Sequence, residues 1–310
     1  MKIDLTPARK TISYLKGEIE FEELWDSKAY QIIREFSDRF GFSNRFFEGV
    51  SQKEIIKRAF SSENIDMPGI SDLEENLPQV KNFINTIQSK DDEWIKTIEG
   101  ELNILLPNED VSDITIYALP TFFYGIALPE GVCININEPI FFKNQRVFVY
   151  QSIHESTHTL YGKIHGTPNI QDLETFEDKM SFFNTLLHTE GYAVYAPFKL
   201  IKEERNLGEN LGKGNHPMLV DYQVLTSESK MVEYVENYDS LREEFEELEE
   251  LSLDELFGKA MGENRYTYRI GGWIFKELEE NKGLDEVREA FYMDADEFVE
   301  EYDHLLDRLR

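Results

Sequence analysis

The pentapeptide HESTH at residues 154–158 is the part of the chain whose residue types and spacing are best suited to chemistry. On a helix, His154 and His158 would stand one turn apart on the same face, where both imidazoles can bind one metal ion. Glu155 projects far enough around the helix to reach a water on that metal rather than the metal itself. Zinc lowers the pKa of a bound water to about 7, and a carboxylate can pass the water's proton to a leaving amine. The spacing therefore indicates zinc-dependent hydrolysis.

The same pentapeptide has a purely structural alternative, an amphipathic helix whose two histidines are simply hydrogen-bonded. The surrounding pattern favours the metal. Val149, Ile153 and Leu160 form an apolar stripe that borders the face carrying the histidines, so the motif is expected inside the protein. Buried imidazoles and a buried carboxylate need partners, and a bound cation supplies one.

A catalytic zinc ion needs a third protein ligand and one open position, and three downstream residues are candidates. They are His165, and the pair His188 and Glu190 in LLHTEGYAVYA. Glu190 is favoured because Gly191 and Ala193 remove side-chain bulk beside it, which is expected to let its helix lie close against the HESTH helix. The two histidines stay open as alternatives.

The elements that must position these residues are mostly helical. From Phe21 to about Leu106, apolar residues recur at three- and four-residue spacing, which predicts an α-helical first third. Two runs then alternate with period two, ITIYAL at Ile114–Leu119 and VCININ at Val132–Asn137, and predict a small antiparallel sheet before the HESTH helix. Further helices are expected at about Asn144–Tyr161, at Gln171–Leu200 with Pro197 able to interrupt it, at Pro217–Glu250, and near the carboxyl end with Asp294 as an N-cap.

Charge and composition limit the partners and the compartment. The 310 residues include 61 acidic and 32 basic side chains, a formal net charge of −29, which repels nucleic acid and anionic membranes. Cys133 is the single cysteine, so no internal disulfide can form. The longest apolar stretch, Ile114–Pro129, is too short and too broken to span a bilayer, and the amino terminus lacks the apolar core of a signal peptide. These features predict a soluble cytoplasmic protein with no nucleic-acid or membrane partner.

HESTH followed by TEGYA resembles the gluzincin group of zinc metallopeptidases, whose thermolysin-like catalytic domains take two ligands from H-E-x-x-H and a glutamate from a later helix. It is most similar to predicted zinc-dependent protease families in which that glutamate begins an E-G-x-A motif. The resemblance covers roughly residues 114–197. It implies that the zinc ligands are His154, His158 and Glu190, and that Glu155 is the general base.

The resemblance also implies a fold and a substrate. The apolar periodicity predicts an α+β, mainly α-helical protein with a helical amino-terminal region at residues 1–106. The resemblance implies that residues 107–310 form a gluzincin-like catalytic region. VCININ is expected to pair with an extended peptide or protein substrate by β-augmentation. The sequence departs from thermolysin at Val194, where an aspartate would stand four residues after the glutamate. The residue that orients the ligating histidines is therefore not predicted.

Tyr268 is a candidate for stabilising the oxyanion. Gluzincin-like families often carry a tyrosine, with a glycine three residues on, near this distance after the glutamate ligand, and Tyr268 and Gly271 match that pattern. Removing an oxyanion donor costs other enzymes about 2.7–4 kcal/mol. Tyr266 and Arg265 are alternatives for the role, and a further alternative is that Tyr268 only packs the start of a helix.

The leading hypothesis is a zinc-dependent peptidase in which a zinc-bound water, activated by Glu155, hydrolyses a peptide bond. One alternative is a catalytically inactive peptide-binding or regulatory protein on a metallopeptidase fold. Another is a zinc hydrolase of a non-peptide amide, which would use the same metal chemistry. Glu155 separates the first two hypotheses, because a protein that only binds peptides has no chemical need for a general base.

Overall fold

A computed structural model describes residues 1–41, 50–61, 67, 69–70, 72–121, 123–204, 216–247, 252–262 and 264–310. The chain divides into two compact units. Unit 1 comprises Met1–Asn103 and Asn108–Gly162, and unit 2 comprises Ile104–Pro107 and Lys163–Arg310. The structure is 71% helical with one small sheet, which confirms the α+β, mainly helical class. Within the described ranges, no helix combines the length and the apolar character needed to cross a bilayer.

Unit 1 contains a four-stranded mixed sheet in the order β1-β2-β4-β3. Its strands are β1 (Lys2–Asp4), β2 (Thr115–Leu119), β3 (Gly125–Leu128) and β4 (Gly131–Asn135). Strand β2 runs parallel to β1 and to β4, and β3 runs antiparallel to β4. The predicted antiparallel pairing of ITIYAL with VCININ is therefore wrong. Both runs form strands, but the short β3 turns back through Pro129 and Glu130 into β4, which restores the direction of β2.

Strand β4 lies inside the sheet, with β2 on one side and β3 on the other. A strand can pair with an added peptide only along an unpaired edge. The prediction that VCININ pairs with a substrate is therefore wrong. Among the described residues, β3 is the edge strand on this side of the sheet.

Seven helices begin in the described part of unit 1. They are α1 (Thr6–Leu15), α2 (Phe21–Trp25), α3 (Lys28–Arg39), α4 (Gln52–Phe60), α5 (Leu73–Leu105), α6 (Pro139–Lys143) and α7 (Val147–His165). Of these, α5, α6 and α7 meet in an aromatic cluster. The ring centroids of Phe83 and Phe141 are 5.4 Å apart, and those of Trp94 and Phe148 are 5.5 Å apart. Phe148 belongs to α7, so this cluster holds the start of the HESTH helix.

The HESTH helix is longer than predicted. It was expected to end at about Tyr161, and it continues to His165. The next residue, Gly166, has a φ of 82°, the left-handed backbone that commonly ends a helix and that glycine adopts without strain. The helical character of the first third of the chain is confirmed in the described residues.

In its described part, unit 2 consists of helices and the loops that connect them. Its helices are α8 (Phe176–Tyr195), α9 (Phe198–Glu204), α10 (Pro217–Leu225), α11 (Glu228–Glu247), α12 (Leu253–Ala260), α13 (Tyr266–Lys282), α14 (Leu284–Tyr292) and α15 (Ala295–Tyr302), with 3-10 turns at Ile170–Asp172 and Asp303–Leu306. The interruption at Pro197 and the N-cap at Asp294, whose carboxylate accepts from the Asp296 N–H at 2.9 Å, are confirmed. The single helix predicted at Pro217–Glu250 is instead two, broken after Leu225, and residues 248–250 lie outside the described residues.

Helices α8 and α13 touch through glycines, which lets their backbones approach closely. A Cβ atom built on Gly191 would lie 2.5 Å from the Cα atom of Gly271, and one built on Gly271 would lie 2.8 Å from the Cα atom of Gly191. The close approach that Gly191 permits is therefore with α13, whose atoms are the nearest to a Cβ at this position.

A polar network lies beyond the carboxyl end of β4. The Asn135 side chain donates to Glu138 Oε1 at 2.8 Å, and Asn137 Nδ2 donates to Asp72 Oδ1, also at 2.8 Å. Burial raises the pKa of the Glu138 carboxyl to about 7; the hydrogen bond from Asn135 opposes this shift and the charge of Asp72 adds to it. The fold therefore favours the neutral acid at this position.

We expect the stability of the protein to depend on the protonation of Glu138. Because the folded pKa lies above the ordinary value of 4.5, the stabilisation is fully present below pH 4.5 and is lost as the pH rises through 7. Glutamine mimics the neutral acid. The free energy of unfolding of Glu138→Gln, taken relative to that of the parent, should therefore rise by about 1–2 kcal/mol from pH 5 to pH 8. Urea unfolding at both pH values measures this, with Glu130→Gln on the exposed β3–β4 turn as control. Equal pH dependence in the parent and in Glu138→Gln would contradict the assignment.

Candidate metal centre

The two histidines of HESTH face each other on α7. Their Nε2 atoms are 3.3 Å apart, and their ring planes are inclined by 79°. Two nitrogens bound to one tetrahedral zinc at 2.0–2.1 Å would be separated by about 3.3–3.4 Å. The separation of His154 and His158 therefore fits the binding of one shared ion.

Glu190 completes a group of three possible ligands. His154, His158 and Glu190 each offer one ligand atom, and these atoms all lie within 4.8 Å of one another. Residues His154 and Glu190 are 7% and 9% exposed. Two imidazoles and one carboxylate form a donor set that leaves a metal position open for water or substrate. The structure thus brings together the three residues predicted as ligands.

Helix α7 holds these histidines in an interior position. Nearly every residue from Val147 to Tyr161 is buried, with His158 half-buried. The Thr159 hydroxyl donates to the Leu128 carbonyl oxygen at 3.1 Å, which ties α7 to the edge strand β3. A helix buried on all sides needs internal partners for its polar side chains. The hydroxyls of Ser152 and Thr157 find theirs in carbonyl oxygens of α7 itself, at 2.7 Å.

Glu155 is buried, with only 5% of the residue exposed. The Gln151 side chain donates to Glu155 Oε1 at 2.6 Å, one turn earlier on the same helix. Strand β3 begins at Gly125, where a Cβ atom would lie 2.6 Å from the carboxyl carbon of Glu155. Gly125 therefore leaves the space that the carboxylate occupies. Sequence reasoning missed both residues, although the four-residue spacing of Gln151 and Glu155 was a visible signal.

The two alternative histidine ligands are engaged elsewhere in unit 2. His188 Nε2 lies 2.9 Å from the carbonyl oxygen of Ala290, and its ring stacks on Phe298 with centroids 4.4 Å apart. Burial lowers the pKa of His188 to about 3, so this imidazole is neutral. His165 Nε2 lies 2.9 Å from the carbonyl oxygen of Phe291. Neither histidine belongs to the group of three ligands.

The segment predicted to stabilise an oxyanion contains an ion-pair cluster at the start of α13. The Arg265 guanidinium carbon lies 3.4 Å from the centroid of the Tyr268 ring. Arg265 also forms two hydrogen bonds to Asp221 Oδ2, at 3.0 Å from Nε and at 2.7 Å from Nη2. Tyr266 makes an edge contact with Tyr234, with centroids 6.2 Å apart. Sequence reasoning missed Asp221, whose only signal was its charge in the apolar stretch PMLVDYQVL.

Cys133 is excluded as a nucleophile by its surroundings. Its thiol is fully buried, and burial, followed by the charge of Glu155, raises the pKa of this thiol. A thiol with a raised pKa carries little thiolate, which is the reactive form.

Comparisons with protein-family models, curated proteins and solved structures find no match to this chain. The gluzincin resemblance therefore rests on HESTH and TEGYA and stays a prediction. The convergence of His154, His158 and Glu190 is an observation independent of that resemblance.

Proposed function

We propose that the protein is a zinc-dependent peptidase whose metal ligands are His154, His158 and Glu190. The observation that carries the proposal is the convergence of these three side chains within 4.8 Å of one another. Two imidazoles and a carboxylate are the protein ligands of catalytic zinc in a large group of peptide hydrolases. When bound, zinc would polarise the substrate carbonyl and lower the pKa of water to about 7.

Glu155 is the general base of the proposed reaction. It accepts a proton from the attacking water while the water oxygen forms a bond to the carbonyl carbon. It then delivers that proton to the nitrogen as the carbon–nitrogen bond breaks. Gln151 holds one carboxylate oxygen at 2.6 Å and so fixes the orientation of the base. A protein that only binds peptides would have no need of this arrangement.

Strand β3 is the element we propose for binding the peptide. It is the edge strand on its side of the described sheet, so an extended peptide can add to it by β-augmentation. It begins at Gly125, which lies against the carboxylate of Glu155. A peptide paired with β3 would therefore pass beside the general base.

Turnover of a mixed peptide library tests the proposal. The protein is loaded with one equivalent of zinc and incubated with the library, and new termini are identified by mass spectrometry before and after a chelator is added. We expect cleavage that the chelator abolishes and that zinc restores. An intact library with a zinc-loaded sample would favour the inactive peptide-binding protein. Hydrolysis confined to small non-peptide amides would favour the amide hydrolase.

A further inference from the structure

Arg265 has an unusual backbone conformation. Among the described residues, it is the single non-glycine residue with a positive φ, at 50°. The left-handed region costs an ordinary residue about 1–2 kcal/mol. Such strain persists only where the surroundings hold the residue in place, and it is concentrated at functional sites. The backbone conformation of Arg265 is therefore held by its surroundings rather than favoured by the local chain.

Asp221 fixes the orientation of Arg265. The negative charge of Asp221 is also balanced by a second arginine, Arg269. Asp221 is completely buried and also receives a bond from Arg269, at 2.9 Å from Nε to Oδ1. Arg269 is 4% exposed and the side chain of Arg265 is 18% exposed. One buried carboxylate thus holds two guanidinium groups. Because Nε and Nη2 of Arg265 bond to Asp221, its Nη1 donors are available to another acceptor.

The packing of α8 on α13 brings the start of α13, where Arg265 lies, toward the part of α8 that carries Glu190. The two helices touch at Gly191 and Gly271. From there they run in the same direction, since Tyr192 contacts Phe275 and the Tyr195 hydroxyl donates to Glu279. On α8, Glu190 directly precedes the contact residue Gly191. On α13, Arg265 and Tyr268 precede the contact residue Gly271 by less than two helical turns.

An arginine side chain is a permanent cation. The charge of Glu190 acts on Arg265 alongside the stronger charge of Asp221.

We propose that Arg265 binds an anionic oxygen of the substrate beside Glu190, an inference that rests on the proposed peptidase function. Two sources share this chemistry. One is the terminal carboxylate of a peptide, and the other is the carbonyl oxygen that becomes anionic during hydrolysis. A guanidinium held in a fixed orientation by a buried carboxylate is suited to either, because its geometry is set before the ligand arrives.

Binding of inorganic phosphate to the zinc-loaded protein, measured by calorimetry, tests Arg265 without any turnover. Arg265→Met should weaken phosphate binding at least tenfold, and Arg265→Lys should weaken it less. Arg310→Met, which removes an arginine paired with Asp239 and Asp303 at the carboxyl end, is the control and should bind phosphate like the parent. If Arg265→Met does not fold, the double variant Asp221→Asn, Arg265→Met removes both charges of the pair and gives the same test.

Phosphate affinity that stays within twofold of the parent in a folded, zinc-loaded Arg265 variant would overturn the proposal, as would a parent protein that binds no phosphate. These results do not depend on peptide cleavage, so they are distinguishable from a failure of the proposed function. The two sources are separated by comparing the parent with Arg265→Met on peptides that have a free or an amidated carboxyl terminus. If Arg265→Met raises KM for the free-acid peptide alone, Arg265 binds the terminal carboxylate. If it lowers kcat for both peptides, Arg265 binds the developing oxyanion.

Discussion

Replacing Glu155 by glutamine is expected to lower kcat for peptide hydrolysis by about 10²–10⁴-fold while leaving the zinc content unchanged. Glutamine has the same shape, and its amide oxygen can still accept the hydrogen bond from Gln151, which is 2.6 Å long in the parent. It cannot take a proton from water at neutral pH. The reaction therefore loses its base while the ligands stay in place.

Kinetics on a peptide identified by library cleavage, together with elemental analysis, measure both halves of this prediction. Glu177→Gln, at an exposed position in the first turn of α8, is the matched control and should keep full activity. Full activity of Glu155→Gln would show that another group acts as the base. Loss of zinc together with activity would show that Glu155 is part of the metal site rather than the base.

Gly271→Ala is expected to destabilise the protein by about 3 kcal/mol, the upper end of what overpacking usually costs. On helix propensity alone, alanine would stabilise a helix interior by about 1 kcal/mol. Here the added Cβ would lie 2.8 Å from the Cα atom of Gly191 and would also meet the carbonyl oxygen of Leu187. Both obstacles are backbone atoms, so the helices must move apart.

Urea unfolding measures this effect, and Gly258→Ala in α12 is the control, because a Cβ atom there meets no other atom within 4 Å. The control should be neutral or slightly stabilising. Since Gly191 is next to Glu190, we also expect Gly271→Ala to weaken zinc binding. A Gly271→Ala protein as stable as the parent would contradict the close packing of α8 on α13.

Local spacing explains why part of the site could be predicted from sequence. His154, Glu155 and His158 lie within one helical turn of each other, so their relative positions follow from the helix itself. Glu190 depends on how the chain folds back, and only the TEGYA motif pointed to it. Its place in the group of ligands needed the structure.

The missed features all depend on contacts between residues far apart in sequence. Gly125 touches Glu155, and Asp221 holds Arg265, yet neither pair has a periodic pattern that would connect its members. The sheet shows the same limit. Alternation revealed the strand runs, but their parallel direction depended on β3, which has only four residues and begins with glycine.

The metal content of the protein, read together with the side chains around the metal, tests the central claim most directly. Elemental analysis and anomalous scattering at the zinc edge would be measured on protein prepared with zinc in excess and then freed of unbound metal. We predict one zinc ion per chain, bound by Nε2 of His154, Nε2 of His158 and the carboxylate of Glu190. A protein that retains no zinc, or that binds it through His165 in place of Glu190, would contradict this account.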